Sequence, residues 1–393
     1  MREVVIVDAV RSAIGKRNGA LAQVHSNELL GTVLTAVLSR NNIPGREVDH
    51  VVGGCVVQLG MQAANVTRNA WLTAGLPASV GASTINTQCG SSQEAHRLAA
   101  AQIASGQADV VIACGVEAMS QIPIGSNMPT GGPHGNPRTG RYAEIYEPTT
   151  QFEGADRIAE KWGLSRTALD QFAKTSQDRA AQAWEQHRFS DQIVPVEAPV
   201  FEEGTALGTR LVSRDEGMRP TTLDGLAKLR LNQPDRVPAS FHTAGNTSQI
   251  SDGASAVLLM SRSKAEELGV RPRARVVDSV LVGSDPVLML TGPIPATAEL
   301  LKRTGLAFTD LDVVEINEAF ASVVGAWAAE YRADMAKVNI NGGAIALGHP
   351  LGATGTILVT KALYELERSK GRYGLITMCC GGGLGTGTII ERL

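Results

Sequence analysis

The chain has 393 residues, 43% of them hydrophobic and 19% charged, with a formal net charge of −3. That length exceeds what one small core organises, so two or three domains are expected. The near-neutral balance excludes the electrostatic footprint of a nucleic-acid or anionic-membrane binder. Aromatic residues make up only 4% against 42 glycines, which suits closely packed helices and sheets. No stretch approaches the roughly 18 apolar residues of a membrane span. The start, MREVVIVDAV, enters a strand at once instead of a basic and then apolar leader, so a cytoplasmic protein with reduced thiols is expected.

In chain order, VVIVDAV (Val4 to Val10) reads as a buried strand and NELLGTVLTAVLSR as an amphipathic helix. VDHVVGGCVVQ is a second strand region and ANVTRNAWLTAG a second helix. STINTQCGSSQEAHRLAAAQIASG reads as a short turn opening into a helix, and ADVVIACGVEAMS as a strand ending in small residues. This alternation predicts an α/β fold with a mostly parallel sheet covered on both faces. From about Gln121 to Gln249 the composition shifts to Pro, Gly, Asn and charge, interrupted by helical segments such as SRTALDQFAKTSQDRAAQAWEQH. We read this region as an inserted loop domain over the catalytic end. The C-terminal third repeats the earlier order through ARVVDSVLVG, LDVVEINEAFASVVGAWAAEY, the glycine-rich VNINGGAIALGHPLGATG with its helix, GLITMCCGGG and TGTIIERL. Aligning Asp49 with Asp312 sets Cys89 opposite Gly352, the spacing of a duplicated fold. The expected division is residues 1–120 with 250–270, an insertion at 121–249, and 271–393.

The five cysteines are Cys55, Cys89, Cys114, Cys379 and Cys380. Their odd number and the absence of CxxC argue against a disulfide framework or a zinc site. Cys55 and Cys114 read as small buried hydrophobes. Cys89 lies at a turn into a helix, where backbone N–H groups favour a thiolate and lower its pKa; a plain buried cysteine fits the same turn. His349, between Gly348 and Pro350, is a better base candidate than a histidine on a helix face. Asn317 in NEAFA suits either an N-cap or a group that positions water or a substrate oxygen, and Glu318 suits a cap or helix-dipole role. CCGGGLGTG fails as a dinucleotide motif, because its glycines are misplaced and a strand follows. Its glycines offer backbone N–H groups to an oxyanion.

Cys89, NEAFA, GGAIALGHPLGATG and CCGGG, in that order along essentially the whole chain, resemble the thiolase family. The resemblance implies two duplicated βαβαβαββ halves in a five-layered αβαβα arrangement, with a loop domain over coenzyme A, in dimers or tetramers. It implies no permanently bound cofactor, with coenzyme A as cosubstrate and acyl-CoA as substrate. The family nucleophile falls on Cys89, its histidine on His349, its asparagine on Asn317 and its acid/base cysteine on Cys379, leaving Cys380 as a packing residue. Ser248 of AGNTS matches the family's coenzyme A serine. Arg219 is nearest to the nucleotide-contacting arginine, one residue short of the family spacing.

The mechanism so implied is ping-pong. His349 deprotonates Cys89, which attacks the keto carbon of a 3-oxoacyl-CoA, and Cys379 protonates the departing enolate. The thioester enolate is held by His349 with a water on Asn317, and the tetrahedral intermediate by the N–H groups of Cys89 and Gly381. Acetoacetyl-CoA-specific relatives carry His-Met where this chain has Thr150 and Gln151, which implies a larger or branched acyl group. The wording of QCGSSQEA, SQISDGASAV and GAIALGHP is similar to bacterial thiolases of sterol breakdown. The alternatives are an acetoacetyl-CoA-forming biosynthetic thiolase and a non-catalytic thiolase-like lipid carrier. A ketoacyl synthase would pair one cysteine with two histidines.

Overall fold

The computed structural model describes residues 2–128, 135–202, 205–236 and 239–393. The first half contributes β1 (Val4–Ser12), α1 (Ser26–Ser39), β2 (His50–Gly54), α2 (Val66–Thr73), β3 (Gly81–Ile85), α3 (Ser91–Ser105) and β4 (Val110–Ala118). The intervening region carries α4 (Gln151–Lys161), α5 (Arg166–Glu185) and a hairpin of β5 (Val196–Glu202) and β6 (Thr205–Val212). Then follow β7 (Ser251–Ser261), β8 (Ala274–Gly283), α6 (Pro293–Thr304), β9 (Leu311–Ile316), α7 (Ala321–Tyr331), α8 (Thr354–Ser369), β10 (Tyr373–Cys380) and β11 (Leu384–Arg392).

The strands run β9-β10-β11-β8-β1-β7-β4-β2-β3. Each half has the same order and the same parallel and antiparallel pairings. The halves join edge to edge through only two residue pairs, Val5 with Arg275 and Ile6 with Ala274. In the second half the counterpart of β3 is reduced to a bridge between Val314 and Val338. The duplication extends to single hydrogen bonds. The Asp49 carboxylate accepts the N–H groups of Asp109 (2.7 Å) and Val110 (2.9 Å) at the start of β4. Asp312 does the same for Arg372 (2.6 Å) and Tyr373 (3.1 Å) at the start of β10, at identical separations in sequence.

Three apolar clusters define five layers. On the outside of the first sheet, Leu29, Val33 and Leu34 of α1 and Trp71 of α2 pack on Ile112 and Leu258. Between the sheets, Ala95, Ala99 and Ile103 of α3 and Val359 and Leu363 of α8 meet Val111 and Val257 on one side and Ile376 and Met378 on the other. Outside the second sheet, Leu300 of α6 and Val324 and Trp327 of α7 cover Val314 and Leu375. The strand alternation of β10 thus sends Leu375 outward and Ile376 and Met378 to the centre. Two elements depart from the sequence reading. GASTI forms strand β3, although its small and polar residues lack a strand pattern, and the hairpin of β5 and β6 lies within the inserted region.

His96 of α3 is fully buried, and neither ring nitrogen has a partner among the described residues. Burial holds its pKa down to about 4. The unfolded chain takes up this proton near pH 6.5 and the folded chain only near 4, so stability present above pH 6.5 is lost as pH falls toward 4. Replacing His96 with Leu is expected to recover about 2 kcal/mol at pH 5 beyond its effect at pH 7, read from urea midpoints at both pH values. An equal effect at the two pH values would refute this.

Candidate active site

Cys89 occupies the turn between β3 and α3. Gln88 takes a left-handed φ of 52°. Ser91 braces the turn, accepting the Thr87 N–H at 2.9 Å and donating to the Gln88 carbonyl at 2.6 Å. A Cβ on Gly90 would stand 2.5 Å from the Cys380 sulfur, so only glycine fits between the turn and β10. Cys89 is half-buried, whereas the other four cysteines are buried; all five are free thiols. Burial pushes the Cys89 thiol up to about 11, opposed by the backbone N–H groups of Gly381 and of Cys89 itself, while the Glu117 carboxylate adds to the rise. This corrects the lowered pKa expected from the helix N-terminus: desolvation outweighs the backbone donors, so Cys89 rests as a thiol and needs a base.

His349 sits in the loop before α8. Gly348 has a φ of 119°, and a Cβ there would overlap the Ser251 hydroxyl, which accepts the His349 N–H at 3.0 Å. The ring Nδ1 lies 2.6 Å from the Thr354 hydroxyl, and that hydroxyl donates to the Pro350 carbonyl at 2.9 Å. Thr354 therefore accepts from Nδ1–H, and Nε2 is left with its lone pair. Burial lowers the His349 pKa to about 4, keeping the ring neutral. Nε2 stands 3.3 Å from the Asn317 amide nitrogen.

Asn317 is not an N-cap, since α7 begins after Phe320. Its N–H is donated to the Thr377 carbonyl of β10 at 3.1 Å, and its buried Oδ1 has no partner among the described residues. Glu318 likewise does not cap α7. It is buried and accepts from Ser176 (2.6 Å), Asn339 (2.8 Å) and the Ile345 N–H (3.1 Å), tying the turn to the histidine loop.

At the end of β10, Cys379 joins Ala319, Phe320, Met289 and Leu290, whereas Cys380 packs under Gly90 beside Thr386. Burial raises both thiols, and a charge on Cys89, once it is ionised, adds to the rise in each. The two side chains face opposite ways, yet both lie within electrostatic reach of Cys89. Opposite Cys89 in the duplicated halves, the Gly352 N–H is donated to Glu117 at 2.8 Å. Glu117 also accepts the N–H groups of Val56 (2.9 Å) and Val57 (3.0 Å). Cys89 and Leu351 pack in one apolar cluster, which brings the Cys89 turn against the histidine loop.

Ser248 is half-buried and donates its N–H to the Ala319 carbonyl at 3.0 Å. Arg219 is exposed, and its guanidinium donates to the Ala244 carbonyl at 3.1 Å, so it reaches the AGNTS segment that holds Ser248. Sequence reasoning missed Thr354, Ser251, Glu117 and Gln249. The Gln249 amide donates to the carbonyls of Gly217 (2.9 Å) and Ile345 (2.8 Å), clamping the insertion to the histidine loop. Thr354 lies one helical turn beyond Pro350, a spacing that could have flagged it.

The model of the thiolase N-terminal domain matches residues 4–263, and that of the thiolase C-terminal domain matches residues 270–392. The chain belongs to the thiolase family. This thiolase is 49% identical over 401 residues to a steroid 3-ketoacyl-CoA thiolase of Mycobacterium tuberculosis, covering 100% of this chain and 95% of the relative. It is 39% identical over 403 residues to an acetyl-CoA acetyltransferase of Syntrophomonas wolfei, covering 100% of both. Its fold matches the crystal structure of the Bacillus anthracis acetyl-CoA acetyltransferase with a TM-score of 0.88 at 37% identity, covering 100% of this thiolase and 99% of that chain. As a thiolase it is an acyltransferase, of a family that takes coenzyme A thioesters. Among the described residues no helix is long and apolar enough to cross a membrane.

Proposed function

We propose that this chain is a degradative thiolase. It cleaves a 3-oxoacyl-CoA with coenzyme A to acetyl-CoA or propionyl-CoA and a shortened acyl-CoA, in fatty-acid or sterol β-oxidation. The observation that carries this reading is the convergence of the Cys89 turn with the end of β10, where Gly90 lies against Cys380, and with the loop of His349. That meeting speaks against a lipid carrier, which has no use for a nucleophile and a base.

In this mechanism the His349 Nε2 lone pair takes the proton from Cys89, and the thiolate attacks the keto carbon. As the Cα–Cβ bond breaks, the electron pair passes to the leaving enolate, which Cys379 protonates. Cys379 then deprotonates the incoming coenzyme A thiol, which attacks the acyl-cysteine. The N–H groups of Cys89 and Gly381 hold the tetrahedral oxyanion, and removing one such donor costs about 3 kcal/mol of barrier. The unpaired Asn317 Oδ1 is suited to a water that assists His349 at the enolate. Ser248 and Arg219 bind the pantetheine and nucleotide ends of coenzyme A. We assign residues 1–120 with 250–270 and 271–393 to the two halves and 121–249 to the covering loop domain. The working protein is a cytoplasmic homodimer or homotetramer.

Thr150 caps α4 and Gln151 is its first residue, next to Phe152, whose ring meets Phe320 edge-on at 5.5 Å. With Gln151 where acetoacetyl-CoA-specific relatives carry Met, this wall favours a larger acyl group. The acetyl-CoA acetyltransferase relatives favour the second reading, a biosynthetic acetoacetyl-CoA-forming enzyme. Thiolysis of acetoacetyl-CoA and of a bulky, branched 3-oxoacyl-CoA, followed by loss of the enolate absorbance, separates the two. A kcat/KM about ten-fold higher on the branched substrate is expected, roughly 1.4 kcal/mol of discrimination. A strong preference for acetoacetyl-CoA would refute the degradative reading.

A further inference from the structure

A second histidine stands behind the acyl wall. His242 is fully buried, and its Nδ1 lies 2.7 Å from an Asp156 carboxylate oxygen. Asp156 also accepts the Phe241 N–H and the Ser240 hydroxyl, each at 2.9 Å. Burial pushes the Asp156 carboxyl up, but these hydrogen bonds outweigh it and hold the group below its ordinary range. The Asp156 carboxylate engages Nδ1–H, which leaves Nε2 as the ring's other hydrogen-bonding atom. That nitrogen has no partner among the described residues although it is buried. Buried polar atoms are rarely left unpaired, and one beside a substrate site points to a missing partner.

The surroundings point to the partner. The His242 ring meets Phe320 edge-on, with centroids 5.3 Å apart and planes at 87°. Phe320 packs in turn with Met289, Ala319 and Cys379. The imidazole therefore stands behind Phe320, one side chain away from Cys379 and next to a wall of apolar side chains. A lone polar nitrogen there suits an apolar acyl body that carries a hydroxyl, which donates to a bare Nε2 or accepts from a protonated one.

We propose that His242, oriented by Asp156, is a specificity determinant whose Nε2 hydrogen-bonds a hydroxyl on the acyl part of the substrate. This rests on the thiolase reading above and deepens it. The test uses 3-oxoacyl-CoA substrates of one carbon skeleton, without a hydroxyl or with one at successive positions. Wild type, His242→Val and His242→Gln are compared by kcat/KM on each substrate and by KM for free coenzyme A.

For at least one hydroxyl position, His242→Val is expected to lose ten-fold or more beyond its loss on the plain substrate. His242→Gln, which keeps a polar atom near the Nε2 position, is expected to regain part of that selectivity. Equal losses on all substrates would overturn the proposal. So would a raised KM for free coenzyme A, which would give the nitrogen to a pantetheine amide. If the wild-type enzyme forms no acyl-Cys89 with any of these substrates, the thiolase reading fails first, and mass spectrometry shows that separately.

Discussion

Cys379→Ala is expected to lower kcat by about 10²–10⁴-fold, the range of a lost general acid and base, while Cys380→Ala keeps most of the activity. The two thiols are neighbours in sequence, and burial raises both. Their surroundings separate them. Cys379 opens toward Phe320 and Met289, the side from which an acyl chain approaches in our mechanism. Cys380 is wedged beneath Gly90, with no room for even a methyl group between them. Trimming Cys380 to alanine removes one sulfur from a packed contact, a loss of about 1 kcal/mol in stability with the chemistry intact. Cys379→Ala should also slow acylation of Cys89, because the departing enolate finds no proton. Rapid-quench mass spectrometry of acyl-Cys89 reads this step directly. A Cys380→Ala enzyme that is dead beside an active Cys379→Ala enzyme would shift the assignment by one residue.

Asp215→Ala is expected to destabilise the protein by about 3–5 kcal/mol, a large share of the 5–15 kcal/mol that holds a typical protein folded. Asp215 grips Arg11 through both carboxylate oxygens, at 2.7 and 3.0 Å, and both side chains are wholly buried. Arg11 also donates to Gln192 at 2.8 Å and lies over the Phe189 ring at 5.1 Å. Removing the carboxylate strands a guanidinium that has no route to water, and it frees the Ile14 N–H, which Asp215 accepts at 2.8 Å. The double variant Arg11→Met with Asp215→Leu should recover much of the loss, since a matched apolar pair carries no desolvation penalty. Urea denaturation of the three proteins checks both statements. A single variant within 1 kcal/mol of wild type would refute them.

Much of the fold is legible because its strands are long, β-branched and buried on both faces, as in VVIVDAV and VVIACGV. Strand β3 was not, because GASTI is a half-exposed five-residue strand whose place is set by β2 beside it. The register of β10 could be read from alternation, which put Cys379 and Cys380 on opposite faces. That both still lie close to Cys89 could not, because it depends on the nucleophile turn meeting the very end of the strand. The helix N-terminus suggested an acidic Cys89, but local sequence does not reveal desolvation, and desolvation sets the sign. The role of Thr354 in orienting His349 appears only once the loop closes back on itself.

The interlocked turns also bear on how the protein comes apart. The Glu117 carboxylate of the first half is capped by the Gly352 N–H of the second, and Cys380 of the second half seats against Gly90 of the first. Gly115 and Gly54 run so close to the Gly352 carbonyl that neither could carry a side chain. Parting the halves would leave a buried carboxylate short of a donor and two glycine-lined faces bare at once. The chain, though built as a repeat, should therefore lose its structure in a single cooperative step, unlike arrays whose units melt one after another.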